Sequence, residues 1–153
     1  MPMAVLRFLV LWLFLVWQGG FFVYAAIVVP IGTDVLESAR LQGAVTQRVT
    51  HWLNGFGIAA LLAIAFLDLL TMTVRANRAR WFCWLIMAVA HLMQLHLRTI
   101  LDRDFDPTTL SIADRPHFRY WHGVYLWAAA IQWAVGLLWL ALTIRAWTRR
   151  EAA

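Results

Sequence analysis

The sequence predicts an all-α integral membrane protein, a bundle of four membrane-spanning helices, on three observations. Hydrophobic residues make up 63% of the 153 positions and charged residues only 14%, a balance outside the range of soluble globular proteins. Four apolar runs each supply the ~20 helical residues needed to cross a hydrocarbon core about 30 Å thick. The runs are continuous, without the alternation and the ~10-residue strands between turns that build a barrel. Residues 1–153 therefore read as a single transmembrane domain.

The first span covers residues 7–30. Arg7 before an apolar run resembles a signal peptide, but the run to Ile31 is too long and has no small-residue cleavage site. A retained helix is the expectation, with Gly19 and Gly20 allowing close packing. The second span covers residues 52–74 and the third residues 81–101. The fourth runs over residues 117–146 and is introduced by Asp114, Arg115 and Pro116, a turn followed by a helix start. Between the first two spans, Val35, Leu36, Ala39, Val45 and Val49 recur at near-helical spacing among charged residues. An amphipathic surface helix or an extension of helix two is expected there.

All thirteen basic residues are arginines and most lie near the ends of the apolar runs, so the net charge of +5 reads as orientation in a bilayer and not as nucleic-acid binding. Arg7, Arg75, Arg78, Arg80, Arg145, Arg149 and Arg150 fall on one side, six arginines and most of the acids on the other. Arginine density close to the helix ends places both termini in the cytoplasm of a multi-pass cell-membrane protein. Trp52 and Trp121 at the outer boundary, with Trp81 and Trp147 at the inner, form an aromatic belt.

Polar side chains at bilayer depth mark the candidate site. His91, Gln94 and Arg98 share one face of helix three with Met87, while His96 points elsewhere. Helix four aligns His122, Tyr125, Ala129, Gln132 and Gly136, and helix two aligns His51, Asn54, Ile58, Leu61, Ala65 and Asp68. Gln18, His91 and Gln132 fall near mid-membrane and are expected to meet across the bundle. Asp68 and Arg98 are the intramembrane charges. For Asp68 an arginine of the inner connection, Arg75 for example, is the expected partner, with proton or ion movement as the alternative.

All five histidines lie at the bilayer centre or on the outer side. Imidazole ligates haem iron, copper or zinc, so His91 and His122, with His51 in addition, are the candidates for a metal or a haem. Asp102, Asp104 and Asp106 have calcium-loop spacing, but Pro107 stands where glycine is required and Ala113 where the closing glutamate belongs. A solvated acidic loop is expected instead. Lone Cys83 reads as packing. Phosphate loops, nucleophile elbows and clustered cysteine and histidine motifs are all missing, so catalysis has no positive signal.

The stretch Trp17 to Val23 in helix one, followed by Pro30, and the stretch Phe118 to Gly123 opening helix four resemble the transmembrane protein 205-like family of small four-helix membrane proteins. The resemblance maps its small-residue and aromatic pattern onto Gly19, Gly20, Phe21 and Phe22, and its aromatic-then-histidine pattern onto Phe118 and His122. It implies a bacterial-type inner-membrane protein, or a relative linked to metal-drug resistance and secretion, and assigns no catalytic residue. From Arg98 to Asp106 the chain departs from the family's asparagine, tryptophan and proline turn.

The leading expectation is a non-enzymatic accessory or transport-related component whose outer-side polar cavity takes a small ligand. The lipid bilayer is its first expected partner, and a membrane-protein partner or a second copy of the chain is the next. The alternative is a redox protein holding haem or copper on bundle histidines.

Overall fold

A computed structural model describes residues 2–71, 78–106 and 108–151. Four long helices account for nearly all of them: α1 (Met3–Val35), α2 (Ala39–Thr71), α3 (Arg78–Asp104) and α4 (Arg115–Glu151). Each is long and apolar enough to cross a membrane, and helices satisfy every backbone group internally where lipid offers no partner. The chain is thus a multi-pass membrane protein. Each helix extends past its expected span, because the amphipathic segment before residue 52 is one piece with α2 and α4 runs on past residue 146.

Tyr24–Val28 in α1 is a π-helical turn, closed by the Val29 N–H bonding to the Tyr24 carbonyl. Pro30 follows two residues later. Its ring clashes with the carbonyl four residues back and it supplies no N–H, so the preceding turn widens. The chain then reverses around Glu37, which adopts φ 47°.

Between α3 and α4 lies a two-stranded hairpin, β1 (Phe105–Asp106) and β2 (Ser111–Ile112), with Phe105 paired to Ile112. Asp114 caps α4 by accepting the His117 N–H at 3.0 Å. We refer to the two ends of the bundle as the hairpin end and the termini end. Arg7 near the start of α1 lies over the Trp147 ring near the end of α4, 5.0 Å from its centroid.

In the core, Val10, Phe14 and Trp17 of α1 meet Ala60, Leu61, Ile64 and Leu67 of α2, Cys83 and Met87 of α3, and Trp139 of α4. Trp12, Leu62, Leu92 and Trp127 are among the large apolar residues that point outward, as a lipid-facing surface requires. Small residues set the closest approaches: a Cβ on Gly57 would lie 2.5 Å from the His91 ring and 2.6 Å from the Trp17 indole, and one on Gly20 would lie 2.9 Å from Leu53. Gly19 has open space around it and does not share that role.

Two faces differ from expectation. In α2 from His51 onward the buried residues are Leu53, Asn54, Gly57, Ala60, Leu61, Ile64, Leu67 and Asp68, with His51 and Ile58 exposed. Gly57, the point of closest approach, centres that face, and at 100° per residue His51 lies about 120° away from it. Earlier in the same helix, Val45 faces outward while Gln42 is buried. In a membrane the apolar side of an amphipathic segment turns to lipid, so the inward side is the polar one.

Candidate functional site

At the hairpin end a cavity of about 760 Å³ opens between the helices. All four helices and the hairpin contribute to its wall, and its volume lies within the range of ligand pockets. Tyr24 reaches it from the π turn of α1, where its hydroxyl donates to Thr46 Oγ1 at 3.0 Å and accepts from Gln42 Nε2 at 3.4 Å. Tyr24, Gln42, Thr46 and Thr50 do not stand out in the sequence as site residues. The i, i+4, i+8 spacing of Gln42, Thr46 and Thr50 was the available signal.

Among the charged residues that line the wall, Arg40, Arg98, Asp102 and Arg115, Arg98 lies deepest. Its guanidinium donates to Thr50 Oγ1 and to the Gln47 carbonyl, and its Nε lies 3.5 Å from Asp102 Oδ2. Gln47 Nε2 holds the other Asp102 oxygen at 2.8 Å. These hydrogen bonds, made by an ion pair within α3, tie α3 to α2. His122 and Tyr125 enter from α4, and the His122 ring stacks on Phe118 with centroids 5.8 Å apart.

Beneath the cavity lies a buried polar layer. Gln18, Asn54, His91, Gln94, Tyr125 and Gln132 are all under one-tenth exposed, so the three mid-membrane residues do turn inward. Gln94 Nε2 donates to Gln132 Oε1 at 2.6 Å, and the Gln132 side chain also lies against the His91 ring. His91 Nε2 donates to the Asn54 carbonyl at 3.1 Å, which fixes the tautomer and leaves Nδ1 as an acceptor. His91 Nδ1, Gln18 Nε2, Gln94 Oε1, the Tyr125 hydroxyl and both polar atoms of the Asn54 amide have no hydrogen-bond partner among the described residues. This layer offers donors and acceptors suited to water or to the polar groups of a ligand. Tyr125 joins the two levels, since it lines the cavity and faces Asn54.

Trp17, Phe14, Ile64, Met87 and Trp139 fill the bundle on the other side of the layer. Beyond them Asp68 pairs with Arg80, both nearly inaccessible, and the Arg80 guanidinium lies 5.7 Å from the Trp139 centroid. Asp68 thus has its inner-connection arginine, while Arg75 lies outside the described residues. The polar route from the hairpin end stops at the apolar core.

The histidines do not converge. His51 is exposed against Trp52, away from the cavity. His96 is exposed on α3, and His117 is engaged by Asp104 at 2.7 Å and by the Trp121 indole at 2.9 Å. Among the described residues no group of three or more histidines, cysteines or acids is placed to hold a metal. His91 is closely packed by an aromatic and a backbone neighbour. The Trp17 ring stands edge-on to it at 5.4 Å, and a Cβ on Gly57 would lie 2.5 Å from its Cε1. His91, His122 and His51 therefore make no common ligand set.

The three loop acids are not free in solution. Asp102 serves Arg98, Asp104 serves His117, and Asp106 accepts from the Thr108 and Thr109 hydroxyls at 2.7 and 2.8 Å. Those bonds, the Thr108 hydroxyl first, pull the Asp106 carboxyl down to about 2.

Fold and site together define a four-helix membrane protein with a cavity at one end whose largely apolar wall carries a few charged and polar side chains. Compared with protein families, characterised proteins and solved structures, the chain has no significant match.

Proposed function

We infer that the protein is a non-enzymatic accessory or transport-related membrane component that binds a ligand in the hairpin-end cavity. One observation carries this reading: all four helices converge on a cavity whose wall holds Arg98, His122 and Tyr125, above a layer of unpaired buried polar groups. Buried polar groups at membrane depth are costly unless a partner or function requires them. The apolar core below closes the route toward the termini end, so the cavity communicates with one side.

Both termini are cytoplasmic in this reading and the cavity faces outward, as arginine density near the helix ends favours. Kinship with the transmembrane protein 205-like family belongs to the same proposal. Its motif positions fall at constructive places, with Gly20 against Leu53 and Phe118 stacked on His122 in the cavity wall.

Filling the cavity tests the function. Ala129→Trp places an indole where the cavity reaches deepest along α4, and the reading expects a folded protein that loses the activity or co-purifying ligand of the wild type. Unchanged activity and unchanged bound material would remove the cavity from the function. For orientation, single cysteines on a Cys83→Ala background are labelled with an impermeant maleimide in intact cells. Thr108→Cys is expected to react and Asn77→Cys to be protected, and the reverse pattern would invert the topology.

A further inference from the structure

The cavity's shape and charge together specify a class of ligand. Its lining runs along α4 from Arg115 to Ala129, about 21 Å of helix at 1.5 Å per residue. That length exceeds the half-thickness of a hydrocarbon core about 30 Å across. Along its depth the wall is mostly apolar, with Phe21, Ala25, Leu126 and Ala129 facing the space between α1 and α4. Leu126 is 50% exposed.

The mouth is basic. Arg40, Arg98 and Arg115 line it against one acid, Asp102, whose carboxylate is already held by Arg98 and Gln47. Arg40 and Arg115 have no ion pair or hydrogen bond among the described residues. Asp34 and Glu37 line an adjoining shallow groove at the turn from α1 to α2, which shares Thr33 and Ala39 with the cavity, and neither acid lines the cavity itself. Interfacial arginines commonly reach toward headgroups at large. Here the same cavity also holds Tyr125, which is 8% exposed and whose hydroxyl is unpartnered.

We propose that the cavity binds an anionic amphiphile from the leaflet at the hairpin end, with its carboxylate or phosphate head at Arg40 and Arg115 and its acyl chain between α1 and α4. The proposal rests on the ligand-cavity reading above and adds the chemistry of the ligand. A basic mouth over an apolar shaft suits a lipid-like anion, whereas a small soluble anion gains nothing from the shaft. The shared chemistry is an anionic head on an alkyl chain, and the source is a free fatty acid or a phospholipid.

Native mass spectrometry of the full chain, released from mild detergent after incubation with palmitate, an anionic phosphatidylglycerol and a zwitterionic phosphatidylcholine, tests it. Retention of palmitate or of phosphatidylglycerol about tenfold or more above phosphatidylcholine is expected, since each arginine favours an anionic headgroup severalfold. Which of the two is retained identifies the source. Arg40→Gln/Arg115→Gln, both exposed positions, is expected to bring the ratio close to one. Ala129→Trp, or Ala25→Trp on the facing wall should the first variant not fold, is expected to remove the bound species. Equal retention of phosphatidylglycerol and phosphatidylcholine, sensitive to the tryptophan variant, overturns the anionic assignment and leaves the cavity as a ligand site. Retention that neither tryptophan variant changes, in protein folded by circular dichroism, means annular lipid only and overturns both.

Discussion

Gly57 of α2 and His91 of α3 approach so closely that a Cβ on the glycine would lie 2.5 Å from His91 Cε1. The missing side chain lets the imidazole cross to the Asn54 carbonyl one turn away and lets Trp17 stand edge-on to it. Gly57→Ala is therefore expected to destabilise the bundle by about 1–3 kcal/mol, the usual range for overpacking, despite the better helix propensity of alanine. Both neighbours are rings locked in the core, so neither can swing aside. Gly19→Ala, with open space around its Cβ position, serves as the control and is expected to be close to neutral. Reversible unfolding in mixed micelles by added dodecyl sulfate measures both. Equal effects at the two positions would mean that the contact at Gly57 does not constrain the fold.

Gln94 and Gln132 link α3 and α4 at mid-membrane through a 2.6 Å hydrogen bond. Interhelical bonds of this kind contribute about 0.6 kcal/mol and rarely exceed ~1.7 kcal/mol. A double-mutant cycle with Gln94→Leu and Gln132→Leu is expected to return a coupling in that range. Coupling indistinguishable from zero would show that the unfolded state in the micelle satisfies both amides as well as the bundle does.

The four spans were legible in the sequence because hydrocarbon thickness fixes the length of an apolar helix. Inward faces were legible where one stripe held small and polar residues together, as in α4 from Tyr125 through Gln132 to Gly136. In α2 the stripe through His51 failed, because histidine polarity was weighed above the small residues Gly57 and Ala60 that set the packing face. The cavity wall was half legible. Arg98, His122 and Tyr125 stood out as polar groups at depth, while Tyr24 and Gln42 were hidden in a segment read through its apolar residues. Their placement depends on the π turn before Pro30 and on lipid attracting the apolar side, and neither effect appears in helical periodicity alone.

Asp68 and Arg80 form an ion pair between α2 and α3 with both side chains almost inaccessible. Taking two charges out of water is costly, and removing one partner leaves the other charge buried among apolar groups. Asp68→Leu is expected to destabilise the fold by about 3–5 kcal/mol. The double variant Asp68→Leu/Arg80→Met is expected to recover most of that loss, since an apolar pair of similar volume is often neutral. Mixed-micelle unfolding of the three variants decides the matter. A double variant no more stable than Asp68→Leu alone would mean that Arg80 holds the helices by contacts other than this pair, its approach to Trp139 among them.

Asp106 turns the hairpin. One carboxylate oxygen accepts the Thr108 N–H at 2.8 Å and the Thr108 hydroxyl at 2.7 Å, while the other accepts the Thr109 hydroxyl at 2.8 Å. These bonds favour the ionised form and lower the carboxyl from its ordinary 3.8 to about 2. A folded-state value below the unfolded one means that the stabilising contribution is fully present above the unfolded value and is lost as pH falls through about 2. At neutral pH the turn is therefore at full strength, and it holds Leu110 and Ile112 against the cavity. Thr108→Val removes the first cause of the shift and is expected to move the Asp106 titration back toward its ordinary range. It is also expected to loosen the hairpin, seen as faster amide exchange at Ile112. Carbon-13 carboxyl shifts of aspartate-labelled protein between pH 1.5 and 6, with the Asp106 signal assigned through Asp106→Asn, follow the titration. An Asp106 signal that titrates at the same pH in wild type and Thr108→Val would show that the threonine bonds do not set the ionisation of the turn.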